Sequence, residues 1–295
     1  MKAVLFKRPG SAARLELAQV PKPVPEANEI LVRVHAATVT RGDVALRKLP
    51  VLVARLFGFK RKSMLGHEFA GEVAGVGAAV TRYSKGEDVF GTTTGLTTGA
   101  YAEYICVPAD GVLATMPANV AYEEAAPIPV GGMTALHFLR KGEIASGKKV
   151  LVYGASGSVG TFAVQLAVHF GARVTGVCST SNVGLVKSLG ADEVVDYTQQ
   201  DFTEAGQTYD IVFDAVGKGS PKRSKSVLTA GGAYVSIRSS TKEKREDLLF
   251  LRDLLASGEV RAVIDRRYPL EQIPDAHRYV EKGHKRGNVV INVEV

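Results

Sequence analysis

The residues of this chain whose types and spacing could do chemistry gather at Lys149-Val150-Leu151-Val152-Tyr153, followed by Gly154, Ala155, Ser156, Gly157, Ser158, Val159 and Gly160, then by the apolar run Thr161–Phe170, closed by Gly171. A strand, a glycine turn and a helix in this order make a seat for a dinucleotide. Glycines let the backbone approach a pyrophosphate, and the helix N-terminus supplies N–H groups and a positive dipole end. A site that prefers NAD places Asp or Glu at the end of the next strand, ~20 residues on, to hold the ribose 2′-hydroxyl. Here Cys178 is followed by Ser179, Thr180, Ser181 and Asn182. Hydroxyls and an amide can donate to a 2′-phosphate that a carboxylate would repel, so the expected cofactor is NADP(H). The same four residues also read as a loop without a cofactor role.

These residues need elements to position them. From about Val150 onward, apolar strands alternate with helical stretches, the mark of βαβ units on a parallel sheet. Strands are expected at Lys149–Tyr153, Arg173–Cys178, Glu193–Asp196, Tyr209–Asp214 and Ala233–Ile237. Ser240-Thr241-Lys242-Glu243 reads as a capping box opening a helix that runs to Ser257 and closes on Gly258. That leaves no room for a sixth strand, so a monomer or an atypical homodimer is expected. The alternative is that the strand-like run Val260–Ile264 fills the vacant place. A helix over Ile273–Lys282 and a strand over Val289–Val293 complete the tail. Upstream, to about Asn119, short Val- and Gly-rich runs such as Glu29–His35 and Phe69–Gly77 describe an irregular, largely antiparallel β domain.

A length of 295 residues fits two domains, and 45% hydrophobic with 23% charged residues excludes disordered, fibrous and membrane classes. The apolar run near Met1 is too short for a signal peptide, and no later run reaches the ~18 residues of a span. A cytoplasmic protein with no membrane partner is expected. Cys106 and Cys178 read as ordinary thiols. The net charge of +7 and pI near 9.3 raise nucleic acid as a partner. However, Lys242, Lys244 and Arg245 interleave with Glu243, Glu246 and Asp247, and Arg261, Arg266 and Arg267 lack interleaved aromatics. No nucleic acid is expected.

Gly66-His67-Glu68-Phe69-Ala70-Gly71-Glu72-Val73, Gly99-Ala100-Tyr101-Ala102-Glu103-Tyr104, the glycine turn and Leu189-Gly190-Ala191-Asp192 follow one another in order. With them the chain resembles the medium-chain dehydrogenase/reductase superfamily, zinc-free quinone oxidoreductase-like branch, as far as the closing Gly287-Asn288-Val289-Val290-Ile291. The resemblance implies an α/β protein with a GroES-like β domain over residues 1–121, completed by 265–295. It also implies a Rossmann domain, a doubly wound parallel sheet, over 122–264. Zinc enzymes of the superfamily hold their metal through a cysteine, the histidine of Gly-His-Glu, and a second cysteine or acid. Thr40 stands at the first cysteine position, and neither Cys106 nor Cys178 falls at a ligand position. Gly91-Thr92-Thr93-Thr94-Gly95 replaces the four-cysteine lobe of a structural zinc, so no metal is expected.

Without a metal, the substrate carbonyl oxygen must be polarised by hydrogen bonds as hydride arrives. The resemblance offers Thr40 and Asp43, although the usual residue at position 40 is Asn. Asp43 reads equally as a helix N-terminal residue ahead of Val44–Leu49. The resemblance further implies Thr134 beside the nicotinamide, Tyr197 near the 2′-phosphate, and Val216 and Gly217 at the ribose. Their alternatives are a helix residue, half-buried packing and a turn. The implied activity is NADPH-dependent hydride transfer to a small carbonyl compound, a quinone or an α,β-unsaturated carbonyl. An alcohol or aldehyde dehydrogenase of the same superfamily, or a non-catalytic NADPH-binding regulatory protein, are the alternatives.

Overall fold

The computed structural model describes residues 1–6, 9–50, 53, 64–96 and 99–294. The chain divides into two compact units. One comprises Met1–Val130, Leu248–Ala256 and Ile264–Val295, and the other Gly131–Asp247 and Ser257–Val263. No described helix is long and apolar enough to cross a membrane.

In the first unit β1 (Lys2–Phe6) and β2 (Leu15–Gln19) form an antiparallel pair. The larger sheet is built on β3 (Glu29–Thr38), whose Ile30, Val32 and Val34 are fully buried. Around it lie β4 (Glu68–Val76), β5 (Asp88–Thr92), β6 (Tyr104–Pro108), β7 (Leu113–Thr115) and the late strands β13 (Ile264–Pro269) and β14 (Asn288–Asn292). Among the described residues the order is β13-β14-β3-β4-β5-β7, with β6 also on β3. The fully described α-helices include α1 (Arg41–Lys48), α2 (Tyr122–Ala125) and, near the end, α8 (Ile273–Glu281). Ile273, Ala276 and Val280 of α8 join Phe69, Tyr101 and Ile291 in one core.

The run Val260–Ile264 is not a strand. β13 begins only at Ile264 and carries Asp265, Arg266 and Arg267, charges that disguise an edge strand. Arg267 makes a bidentate contact to Glu123 at 2.7 and 2.8 Å, and Arg266 stacks on Tyr279. Val260 is buried outside any strand.

In the second unit β8 (Lys149–Tyr153), β9 (Arg173–Cys178), β10 (Glu193–Asp196) and β11 (Tyr209–Asp214) fall where their apolar runs predict. With β12 (Leu228–Ser236) they form a parallel sheet in the order β10-β9-β8-β11-β12. The order reverses between β8 and β11, the switch point where such sheets bind ligands. The helices are α3 (Ile128–Lys141), α4 (Ser158–His169), α5 (Val183–Ser188), α6 (Pro221–Lys225) and α7 (Arg245–Ser257); α3 and α7 each cross a unit boundary.

Two boundaries differ from expectation. β12 starts at Leu228 rather than Ala233, because Gly231, at φ +80°, and Gly232 lie inside the strand, where its register with β11 shifts. A glycine pair that reads as a turn is here an irregularity. Helix α7 starts at Arg245, so Ser240-Thr241-Lys242-Glu243 is no capping box, and Asp247 in the first turn bonds Arg140 instead. Among the described residues the parallel sheet ends at β12.

Candidate functional site

The glycine turn carries the backbone geometry its composition requires. Gly154 sits at φ +83°, and a Cβ there would fall 2.5 Å from Val216 Cγ1. A Cβ on Gly160 would fall 2.1 Å from the Gly154 carbonyl oxygen, so only glycine lets α4 close onto the turn. The Gly154 and Ala155 amides both donate to the Val177 carbonyl at 3.0 Å, tying the turn to the end of β9. Gly157 is the N-cap and supplies no side-chain cap, and a Cβ there would meet only that Gly154 oxygen, at 3.4 Å. An α4 N-terminus left without a side-chain cap, over backbone no Cβ crowds, fits a pyrophosphate. Ser156, Ser158 and Val159 are half-buried around it. Helix α3 runs close by, since a Cβ on Gly131 would lie 3.1 Å from Ser158 Oγ, and Thr134 follows three residues on along that face.

The turn after β9 is stitched to this seat. Asn182 Nδ2 donates to Ser156 Oγ at 3.2 Å and to Ser179 Oγ at 3.1 Å. The hydroxyls of Ser179 and Ser181 are 3.4 Å apart. The Tyr197 amide donates to the Cys178 carbonyl at 3.0 Å, and the residue is 56% exposed. A cavity of about 310 Å³ opens there, lined by Tyr153, Tyr197, Gln199, Gln200, Phe202 and Arg223 among others.

Val216 and Gly217 are held by a residue the sequence reading passed over. Asp214, fully buried at the end of β11, accepts from the amides of Val216, Gly217 and Gly219 at 3.2, 2.9 and 3.0 Å. Tyr234 Oη and Ser236 Oγ donate to its other side. An acid closing an apolar strand at the switch point was the available signal.

Thr40 and Asp43 belong to the first unit, where they form a complete capping box on α1. Asp43 is fully buried. Its Oδ2 accepts from Thr40 N at 2.9 Å and Thr40 Oγ1 at 2.6 Å, and its Oδ1 from Gly66 N at 2.9 Å and His67 Nδ1 at 2.7 Å. Burial raises the Asp43 carboxyl's affinity for a proton, but the charge and hydrogen bond of His67 and the Thr40 hydroxyl outweigh it and hold the group well below the usual carboxylate range. The Thr40 hydroxyl donates its proton to this carboxylate. Thr40 and the ring of His67 thus converge on one buried carboxylate.

Nearby groups, most of them buried, extend this cluster. Glu68 accepts from Thr38 Oγ1 at 2.5 Å and from the Val130 amide at 2.8 Å. Tyr101 Oη donates to the Thr38 carbonyl at 3.1 Å and lies 3.3 Å from His277 Nε2. Burial pushes His277 down to about 4. Lys285 is pushed down to about 8 by burial, with Glu68 and Asp265 pulling the other way. Its place between His284 and Arg286 in a surface-like loop concealed it.

Among the described residues no three His, Cys, Asp or Glu side chains come together as a metal site. Cys106 lies on β6 and Cys178 ends β9.

Residues 26–118 match the alcohol dehydrogenase GroES-like domain family, and residues 158–280 the zinc-binding dehydrogenase family. The chain is 33% identical to a 2-methylene-furan-3-one reductase of Solanum lycopersicum, over 99% of this chain and 79% of that one. It is 30% identical to an NADPH-dependent alkenal/one oxidoreductase, chloroplastic, of Arabidopsis thaliana, over the same shares. The solved quinone oxidoreductase from Coxiella burnetii superposes with a TM-score of 0.91 at 30% identity, over 100% of this chain and 99% of that one. A nucleotide turn at the switch point of a parallel sheet, an antiparallel unit closed by the chain's own tail, and these relatives together show that the chain belongs to the medium-chain dehydrogenase/reductase superfamily, among its quinone oxidoreductase-like members.

Proposed function

We propose that the chain is an NADPH-dependent reductase that delivers hydride to a quinone or an α,β-unsaturated carbonyl without a metal. The observation that carries this reading is the uncapped N-terminus of α4 beneath a turn that tolerates no side chain at Gly154 or Gly160. Bound at this turn, the dinucleotide supplies the hydride. In this reading the first-turn amides of α4 hold the pyrophosphate, Val216 and Gly217 meet the ribose, and Thr134 lies beside the nicotinamide. Ser179 and Ser181 donate to the 2′-phosphate. Thr40 and Asp43 are positioning residues that keep the proton of His67 on Nδ1 and fix the ring's orientation. The relative named NADPH-dependent supports the cofactor, and the reductase and oxidoreductase names support the substrate class.

The test follows NADPH loss with a panel of quinones and enones, with and without a chelator. Substrate-dependent oxidation that survives chelation is expected. Oxidation lost on chelation and restored by zinc would favour the alcohol dehydrogenase reading, and cofactor binding without turnover on any substrate would favour a regulatory protein. The reading includes a cytoplasmic location, and a monomer or a dimer through an unusual surface. Light scattering on the purified chain tests the assembly.

A further inference from the structure

We infer that Asp196 is a cofactor-specificity residue which restrains the preference for NADPH and lets the same seat accept NADH; this rests on the cofactor reading above. An acid that meets the ribose 2′-position normally ends the second strand of the nucleotide unit. Here that strand is β9, and its last residue, Cys178, stands in register with Asp196, the last residue of β10. The carboxylate missing from one strand end is thus delivered from its neighbour.

Its side chain is held over the turn. Asp196 Oδ2 accepts from Thr180 Oγ1, while Oδ1 accepts from the Thr198 amide at 3.0 Å and the Thr198 hydroxyl at 2.7 Å. Thr180 and Thr198 hydroxyls are themselves 2.9 Å apart. Of the groups expected to donate to a 2′-phosphate, Thr180 therefore spends its proton on Asp196, and Asn182 spends its amide protons on Ser156 and Ser179. What remains is Ser179 and Ser181, facing the dianion with a carboxylate next door. The cation lining the adjacent cavity does not redress this, because Arg223 is ion-paired to Asp201. A ribose with a free 2′-hydroxyl has no charge to be repelled and can donate to a carboxylate oxygen.

The experiment measures dissociation constants of NADPH and NADH, by titration, for the wild-type chain and for Asp196→Asn, Asp196→Ser and, as a surface charge control, Asp253→Asn. Asp253 lies on α7, with its side chain 67% exposed. Both Asp196 substitutions should tighten NADPH by about five- to tenfold, an effect that shrinks in high salt, while NADH is unchanged or weaker. Asp253→Asn should leave both constants alone. An unchanged NADPH-to-NADH ratio in folded Asp196 variants, or an equal change in the control, overturns the inference and leaves the cofactor reading standing. If the wild-type chain binds neither dinucleotide, the cofactor reading falls and the inference falls with it.

Discussion

Replacing Asp43 with Ala removes the acceptor for four donors at once: Thr40 N, Thr40 Oγ1, Gly66 N and His67 Nδ1. Leaving one buried donor unsatisfied costs about 1–3 kcal/mol, and losing a cap costs about 1 kcal/mol, but such losses overlap and one new cavity can admit water. With four donors affected, about 3 kcal/mol is the expected total after that overlap. At 2–4 °C per kcal/mol for a body of this size, the first unit should melt roughly 6–12 °C lower. The assay is thermal unfolding by circular dichroism at neutral pH and again in acid. Because the folded carboxyl lies below its unfolded value, its contribution is fully present above about pH 4 and fades as the pH falls below that. The gap between wild type and variant should therefore narrow in acid. A variant melting within about 2 °C of wild type at neutral pH would refute the argument that this carboxylate organises α1, Gly66 and His67.

Gly160→Ala should weaken dinucleotide binding more than tenfold, as seen by titration, because its Cβ lands on the Gly154 carbonyl oxygen; unaltered affinity would show that the turn can open. His277, buried and pushed down to about 4, must take up a proton on unfolding below its ordinary value of about 6.5. Stability should thus be full above about pH 6.5 and fall by about 3 kcal/mol as the pH drops to 4, a slope that His277→Asn flattens in denaturant titrations across that range. Elemental analysis should find no stoichiometric zinc in the purified chain, and dialysis against a chelator should leave turnover intact; one zinc per chain lost together with activity would contradict this.

Short-range physics wrote much of this protein into its sequence. β8 to β11 lie where apolar runs ended by turn residues put them, and the glycine turn is readable because positive φ and close approach at Gly154 and Gly160 admit no other residue. Local rules also mark Asp43 as a helix start. What those rules misjudged depends on neighbours distant in the chain. β13 is a strand because β14 offers it a parallel partner and Glu123 pairs with its Arg267, neither of which periodicity can register. Asp43 is more than a helix start because Gly66 and His67, more than twenty residues on, converge on its carboxylate. Asp214 and Asp196 stand where they do because strand order and register, set by the packing of whole sheets, decide which strand end stands beside which. A residue's type is local, but its hydrogen-bond partners are chosen by the tertiary fold, and in this protein those partners decide which acids hold backbone amides.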